Sequence, residues 1–348
     1  MNMIPPYHEI DIWARFPILH MELEPLQKFL QDEKVSELSI NRPGELFIER
    51  LGESEMERVV VKDLSAKWIV NIATLVASAT NQIVNEERPL LSAALPTGER
   101  IQCVLPPAAP DGGAISIRKQ VIREMTLDDY AAAGAFEGIS MGTELGYSDG
   151  ERELISRLSG DPVEFIDCAI RNHVSIVVSG GTSTGKTTFL NAMLKLIPPH
   201  ERIILIEDTR ELKPVTSNSL SLLTSKGAQG LAQVDTQDLL EASLRMRPDR
   251  IMLGELRGAE AFTFLQAINT GHPGSLTTVH ANSARSAYER LALMVMQGGV
   301  RLSHDELVTY LKETLPIVIQ LSRNGSGRRI VSEIKFTKAE VSGGICEI

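Results

Sequence analysis

The sequence predicts an α/β protein in which a C-terminal domain on a mostly parallel sheet follows a smaller α+β domain. Residues 180–187 match G-x-x-x-x-G-K-[ST] in full, between an apolar, β-branched run and a helix-forming run. Strand and helix patterns then alternate to the end of the chain, whereas the first 121 residues read as short strands around one amphipathic helix.

The run Val174-Ser-Ile-Val-Val-Ser before the motif suits a buried strand, and the helix formers from Lys186 continue until Pro198-Pro199 stops them. The glycines therefore stand at a strand-to-helix turn, where a phosphate loop belongs. Through Gly180, Gly181, Thr182, Ser183, Thr184 and Gly185 the backbone can wrap close to phosphate oxygens. Its N–H groups and the helix N-terminus then point positive partial charge inward. Lys186 is placed for the β- and γ-phosphates, Thr187 for Mg²⁺ through its hydroxyl, and Thr188 for the same cradle. ATP and Mg²⁺ are the expected ligands.

The other C-terminal strands are expected at Val174–Val178, Arg202–Ile206, Arg250–Leu253 and Ser275–Val279, with helices at Thr236–Met246, Ala259–Ile268 and Ser283–Met296. A final hairpin, Ile317–Ser322 with Arg329–Phe336, brackets Asn324-Gly-Ser-Gly. In such sheets ligand groups gather at the carboxyl ends of the strands. Two runs end there in acid: Glu207-Asp208-Thr-Arg210-Glu211, and Glu255-Leu-Arg257. Phosphoanhydride hydrolysis needs a cation against developing charge and a carboxylate to orient water. Glu255 stands where a Walker-B carboxylate acts on Mg²⁺, partly through water, and Glu207 is the candidate for activating the nucleophile; the two roles are interchangeable at this level. A single acid after a strand is more often a helix cap, and it is the pair beside a phosphate loop that points to catalysis.

His280 falls at the carboxyl end of its strand, where a neutral imidazole can donate to a γ-phosphate oxygen and sense it. His272, beside a glycine at a helix end, reads as a cap. Phosphoryl transfer also draws on a guanidinium from outside the loop. Arg210 is the candidate, with Arg245 and Arg247 near a helix end and Arg100 and Arg118 in the other domain.

In the N-terminal domain, strand-like runs begin at Glu37, Leu46 and Val59, and Asn41-Arg-Pro-Gly makes a turn. Ser65 is a suitable N-cap for a helix over Lys67–Thr80, whose Trp68, Ile69, Ile72, Leu75, Val76 and Ala79 share one face. Leu90–Leu105 and Ala114–Arg118 read as strands broken by Pro96-Thr-Gly and Pro106-Pro107. Residues 1–121 form this domain, the Ala-, Gly- and acid-rich stretch 122–150 a partly helical linker, and 151–348 the C-terminal domain. At 348 residues two cores are the natural expectation, and 43% hydrophobic with 23% charged residues describes an ordinary globular chain.

A net charge of −10 disfavours a broad face for nucleic-acid phosphates, and no sequence-specific nucleic-acid binding is expected. The three widely spaced cysteines, Cys103, Cys168 and Cys346, fit a reducing cytoplasm and form no paired zinc site. The first thirty residues lack an apolar signal core, and no run reaches membrane-spanning length. The expectation is a protein neither exported by a signal nor inserted in a bilayer, with peripheral attachment through partners left open.

Four ordered elements, Gly180–Thr187, Ile206-Glu-Asp-Thr-Arg-Glu211, Leu253-Gly-Glu-Leu-Arg257 and Gly271-His-Pro-Gly-Ser through His280-Ala-Asn-Ser, resemble the Walker A, Asp box, Walker B and His box of the type II and type IV secretion ATPases. Asn41-Arg-Pro-Gly-Glu, Arg88-Pro-Leu-Leu-Ser, Leu95-Pro-Thr-Gly-Glu-Arg-Ile-Gln102 and Ile115-Ser-Ile-Arg-Lys119 are similar to the type IV secretion and conjugation branch, and no paired-cysteine zinc insertion is present. The resemblance implies a homohexameric ring of RecA-like domains at the cytoplasmic face of the inner membrane. It also implies N-terminal domains closing over ATP, with Arg100 and Arg118 reaching the nucleotide. Implied partners are inner-membrane ATPases and channel proteins of a type IV secretion system, and the implied work is pilus biogenesis and transfer of conjugative DNA or effector protein. The competing readings are a ring-shaped DNA translocase or helicase, disfavoured by 5% aromatic content and acidic charge, a nucleotide-gated assembly factor, and a pilus retraction motor.

Overall fold

A computed structural model describes residues 12–120, 126–137, 147–225 and 231–341. Residues 122–125 and 138–146 of the expected linker, and Cys346, lie outside the described residues. In the N-terminal domain, β1 (Val35–Ile40), β2 (Glu45–Arg50), β3 (Glu57–Val60), β4 (Leu90–Ala94), β5 (Arg100–Val104) and β6 (Ala114–Arg118) form one sheet in the order β3-β2-β1-β6-β5-β4. Every neighbouring pair is antiparallel. The expected run over Leu90–Leu105 folds back on itself as β4 and β5, and Gly98 takes the positive φ of 102° that the turn needs.

The helix Ala66–Ala79 lies against this sheet. Ser65 accepts a hydrogen bond from the Trp68 N–H at 3.1 Å, the cap that the sequence predicts, and Trp68, Ile69, Ile72, Ala73 and Val76 are buried. Two short helices that the periodicity does not reveal, Pro17–Glu22 and Glu24–Leu30, add Leu19, Leu23, Leu26 and Phe29 to the same core. Each carries a proline in its first turn, where a missing N–H costs nothing.

The C-terminal sheet comprises β7 (Ile176–Gly180), β8 (Ile203–Glu207), β9 (Ser219–Leu223), β10 (Arg250–Leu253), β11 (Leu276–Val279), β12 (Ile317–Arg323) and β13 (Arg329–Phe336), in the order β13-β12-β7-β11-β10-β8-β9. All pairs are parallel except the β12–β13 hairpin. Helices cover both faces, which is why the strands read as unbroken apolar runs. Val177, Ile204, Ile206, Ile251 and Leu253 pack to one side, with Leu240, Phe264, Leu291 and Leu307. Their sequence neighbours Ile176, Val178, Ile203, Leu205 and Met252 pack to the other, with Phe165 and Leu190. Two elements depart from expectation. Before β7 stand two helices that those expectations do not include, Asp149–Arg157 and Pro162–Arg171, and Asp161 caps the second through the Val163 N–H at 2.8 Å. A further helix, His304–Thr314, enters through a Ser303 and Glu306 capping box.

The domains meet along β8 and β9. Arg202, fully buried just before β8, donates to Asn41 Oδ1 at 2.6 Å, Asn218 Oδ1 at 2.8 Å and the Met246 carbonyl at 2.9 Å. Val104, Ala108, Ala109 and Ala114 of the N-terminal domain join the C-terminal core. Burial also lifts the nearby Glu37 carboxyl to about 7, against the pull of Arg202. Strand β8 thus begins in the domain interface and ends at Glu207.

Candidate nucleotide-binding site

Parallel strands bring all their carboxyl ends to one edge, and there the structure opens a cleft of about 880 Å³. Its walls include Thr182, Ser183, Gly185, Lys186, Thr187 and Thr188 of the loop, Glu207 and Asp208 after β8, Glu255 and Arg257 after β10, and His280 after β11. Elements far apart in sequence therefore converge on one site.

The loop's shape follows from its residues. Gly185 has φ 95° and caps the helix Lys186–Leu194 in the left-handed region; Ser183, with φ 61°, occupies that region despite its side chain. At Gly180 a Cβ would stand 2.4 Å from Thr184 Oγ1 and 3.0 Å from the Leu321 carbonyl, so no side chain fits. Thr184 donates its hydroxyl to the Gly181 carbonyl at 2.9 Å. Gly180, Gly181 and Thr184 build the loop without lining the cleft.

A chain of charged groups crosses the floor. Lys186 Nζ donates to the carbonyls of Gly180 and Gly181 at 3.1 and 3.3 Å and lies 3.3 Å from His280 Nδ1 and 3.4 Å from its Nε2. His280 Nε2 lies 3.0 Å from Glu255 Oε1, and Arg257 donates to Glu255 Oε2 at 2.7 Å while pairing with Asp208 through its other nitrogen. Burial depresses the pKa of both Lys186 and His280, with Glu255 opposing in each case. A neutral His280 then donates from Nε2 to Glu255 and accepts from Lys186 at Nδ1, one consistent tautomer. Its N–H is thus directed at Glu255.

Glu207 is buried, and its Oε1 accepts the N–H groups of Glu211 and Leu212 at 2.9 and 2.8 Å. Its Oε2 is buried with no hydrogen-bond partner. Burial raises this carboxyl's pKa, and the two N–H groups oppose it. The Thr187 hydroxyl and the Glu255 carboxylate, oxygen donors in the same cleft, fit a divalent cation, and the unpaired Glu207 oxygen is left to face water. Among the described residues no group of three or more His, Cys, Asp or Glu could hold a metal alone, so phosphate oxygens would complete its shell.

The remaining sequence candidates lie elsewhere. Arg210 does not line the cleft; it makes a bidentate pair with Asp111 of the N-terminal domain, at 2.7 and 2.8 Å. Both side chains are substantially exposed, which limits such a pair to about 1 kcal/mol. Arg210→Ala and Asp111→Ala are therefore expected to lower kcat equally, each by less than about fivefold. A loss confined to Arg210→Ala in steady-state assays would return the arginine to catalysis. Arg247 pairs with Asp249 and with Glu49 across the domain interface, and Arg245 is exposed outside the cleft. His272 Nδ1 lies 2.7 Å from the Pro248 carbonyl and holds a turn. Arg100 and Arg118 face each other across β5 and β6, exposed, and neither lines the cleft.

Among the cleft residues that received no role from the sequence are Asp208, Arg257 and Arg329. The first two flank the strand-end glutamates and were legible as neighbours. Nothing local marks Arg329, which only the β12–β7 pairing brings near the loop.

A phosphate loop at the edge of a RecA-like parallel sheet, with strand-end acids facing it, is the architecture of P-loop nucleotide-binding proteins. The family described as "Type II/IV secretion system protein" matches residues 160–343. The VirB11 type IV secretion protein of Bartonella henselae is 39% identical over 346 residues, covering 94% of this chain and 96% of that one. That of Brucella suis is 38% identical over 329 residues, covering 91% and 90%. The crystal structure of the Brucella suis VirB11 ATPase with sulphate superposes with a TM-score of 0.87 at 36% identity, covering 96% of this chain and 99% of that one. The chain belongs to the secretion ATPase family, and within it to the VirB11 ATPases of type IV secretion systems. No helix among the described residues is long and apolar enough to cross a membrane.

Proposed function

We propose that the protein hydrolyses Mg·ATP as a ring of six subunits at the cytoplasmic face of the inner membrane, powering pilus biogenesis and substrate transfer by a type IV secretion system. Its partners there are the system's inner-membrane ATPases and channel proteins. The observation that carries the reading is the convergence of Lys186, His280, Glu255 and Glu207 on one cleft.

Lys186 exchanges the loop carbonyls for the β- and γ-phosphates, and that exchange frees His280 Nδ1. His280 therefore reads phosphate occupancy through Lys186 and passes it to Glu255, whose other oxygen Arg257 fixes. Glu207, raised by burial and holding one unpaired oxygen, takes the proton of the attacking water. Thr187 and Glu255 would hold Mg²⁺, partly through water, and the ion would neutralise charge on the transferring phosphoryl group.

Because β8 joins the Arg202 interface to Glu207, a shift at the nucleotide reaches the N-terminal domain along one strand. Residues 122–150 serve as the hinge between domains 1–121 and 151–348. Two opposed arginines repel unless an anion lies between them, and we assign Arg100 and Arg118 to the nucleotide of a neighbouring subunit. The test is steady-state Mg·ATP hydrolysis against protein concentration, with Lys186→Ala as blank and DNA present or absent. Specific activity should rise as subunits associate and ignore DNA. Activity that requires DNA would point instead to a nucleic-acid translocase.

A further inference from the structure

One arginine of the cleft belongs to none of the four motifs. Arg329 opens β13, opposite Arg323 of β12. Strand β12 runs beside β7 with Leu321 next to Gly180, so the hairpin's end overhangs the phosphate loop. There Arg323 donates to the Ser183 carbonyl at 2.9 Å. The Arg329 side chain lies on Gly185: a Cβ built on that glycine would be 3.2 Å from Arg329 Cδ and 3.6 Å from its Nε.

This is an unfavourable place for a lone cation. Gly185 caps the helix Lys186–Leu194, so the guanidinium rests against a helix N-terminus, which carries positive partial charge of its own. Two arginines directly opposite in an antiparallel pair also repel. Among the described residues Arg329 has no side-chain hydrogen bond or ion pair to offset either effect. An anion in the cleft would relieve both.

Sheet order decides which part of the ligand is met. In the sequence β12-β7-β11-β10-β8 the hairpin flanks the loop on one side, while Glu255 and Glu207 stand at strand ends on the other. Resting on the reading of this cleft as a nucleotide site, we propose that Arg329 binds the α- and β-phosphates, the part common to ATP and ADP, from the flank opposite the two glutamates. An interaction made equally in ground and transition states lowers KM and leaves kcat alone.

The experiment compares wild type, Arg329→Ala, Arg329→Lys and Lys186→Ala in ATP hydrolysis and in displacement of a fluorescent ADP analogue by ADP. Arg329→Ala should raise KM for ATP and Kd for ADP by the same factor, about tenfold, with kcat within about twofold, as suits loss of a charge-assisted contact. Arg329→Lys should recover part of the loss, keeping the charge without the planar fork. Unchanged KM and Kd overturn the proposal, and so does a fall in kcat at unchanged KM, which would place Arg329 at the γ-phosphate. Wild type that neither hydrolyses ATP nor binds ADP would remove the nucleotide site itself. Loss confined to Lys186→Ala would keep that site and dismiss only Arg329.

Discussion

Lys186→Ala should lower ATP turnover by about 10²–10³-fold, the range for removing one preorganised donor from developing charge. The lysine's ammonium is only 3.1 Å from a loop carbonyl and 3.3 Å from His280, so its loss removes a phosphate ligand and the signal to the histidine together. Glu255→Gln should behave differently. The amide keeps the size of the side chain and a contact with His280, so nucleotide still binds, yet the charge opposite Lys186 and Arg257 is gone and hydrolysis stalls with ATP bound. Filter-binding of labelled ATP alongside single-turnover hydrolysis separates the two variants. Equal turnover in both and in wild type would defeat the site assignment. A pH profile adds an independent check. Glu207 must be deprotonated to accept a proton, and burial raises its pKa from the ordinary value. In wild type kcat should climb with pH through that raised value, and in Glu207→Gln the climb should vanish.

Local signals carried much of this protein. A phosphate loop is written in consecutive residues because one turn must satisfy one ligand, and the apolar strands are legible because both of their faces are buried. The carboxyl-edge rule then placed Glu207, Glu255 and His280 on one side of the sheet, and the structure lines one cleft with all three. Long-range pairing was not legible. Strand β9, Ser219-Leu-Ser-Leu-Leu, is short and half polar, and only the neighbouring β8 makes it a strand. Arg210 sits in an acidic motif that points toward catalysis, yet its partner Asp111 lies 99 positions away in the other domain. Arg329 reaches the cleft only because a hairpin pairs with β7 across the intervening chain, and Lys186 tells nothing of it. What escaped the sequence is set by which distant backbones lie side by side.

Breaking the buried pair at the opposite end of β10 should have the largest effect on stability. Arg250 is fully buried, and Glu201 is 3% exposed. The guanidinium pairs with both Glu201 oxygens and also donates to the carbonyls of Ile170 at 2.8 Å and Gly274 at 3.2 Å. It leaves so little room that a Cβ on Gly274 would stand 2.4 Å from Arg250 Nη1, which explains a glycine there. Arg250→Met strands the Glu201 charge and is expected to cost about 3–5 kcal/mol in urea unfolding, while adding Glu201→Leu should restore much of it, because the lost desolvation penalty offsets the lost attraction. Burial pushes the Glu201 carboxyl up, but Arg250 and His173 pull it further down, to about 2 from 4.5. Its contribution is therefore complete above pH 4.5 and is lost as pH falls toward 2, so the double variant should show a shallower loss of stability in acid over that window. Nucleotide affinity should hold in the double variant, since the four residues of β10 separate Arg250 from the cleft by roughly 10 Å. A single variant costing under about 1 kcal/mol, or a double variant no better than the single, would mean that the interior already compensates the glutamate without Arg250.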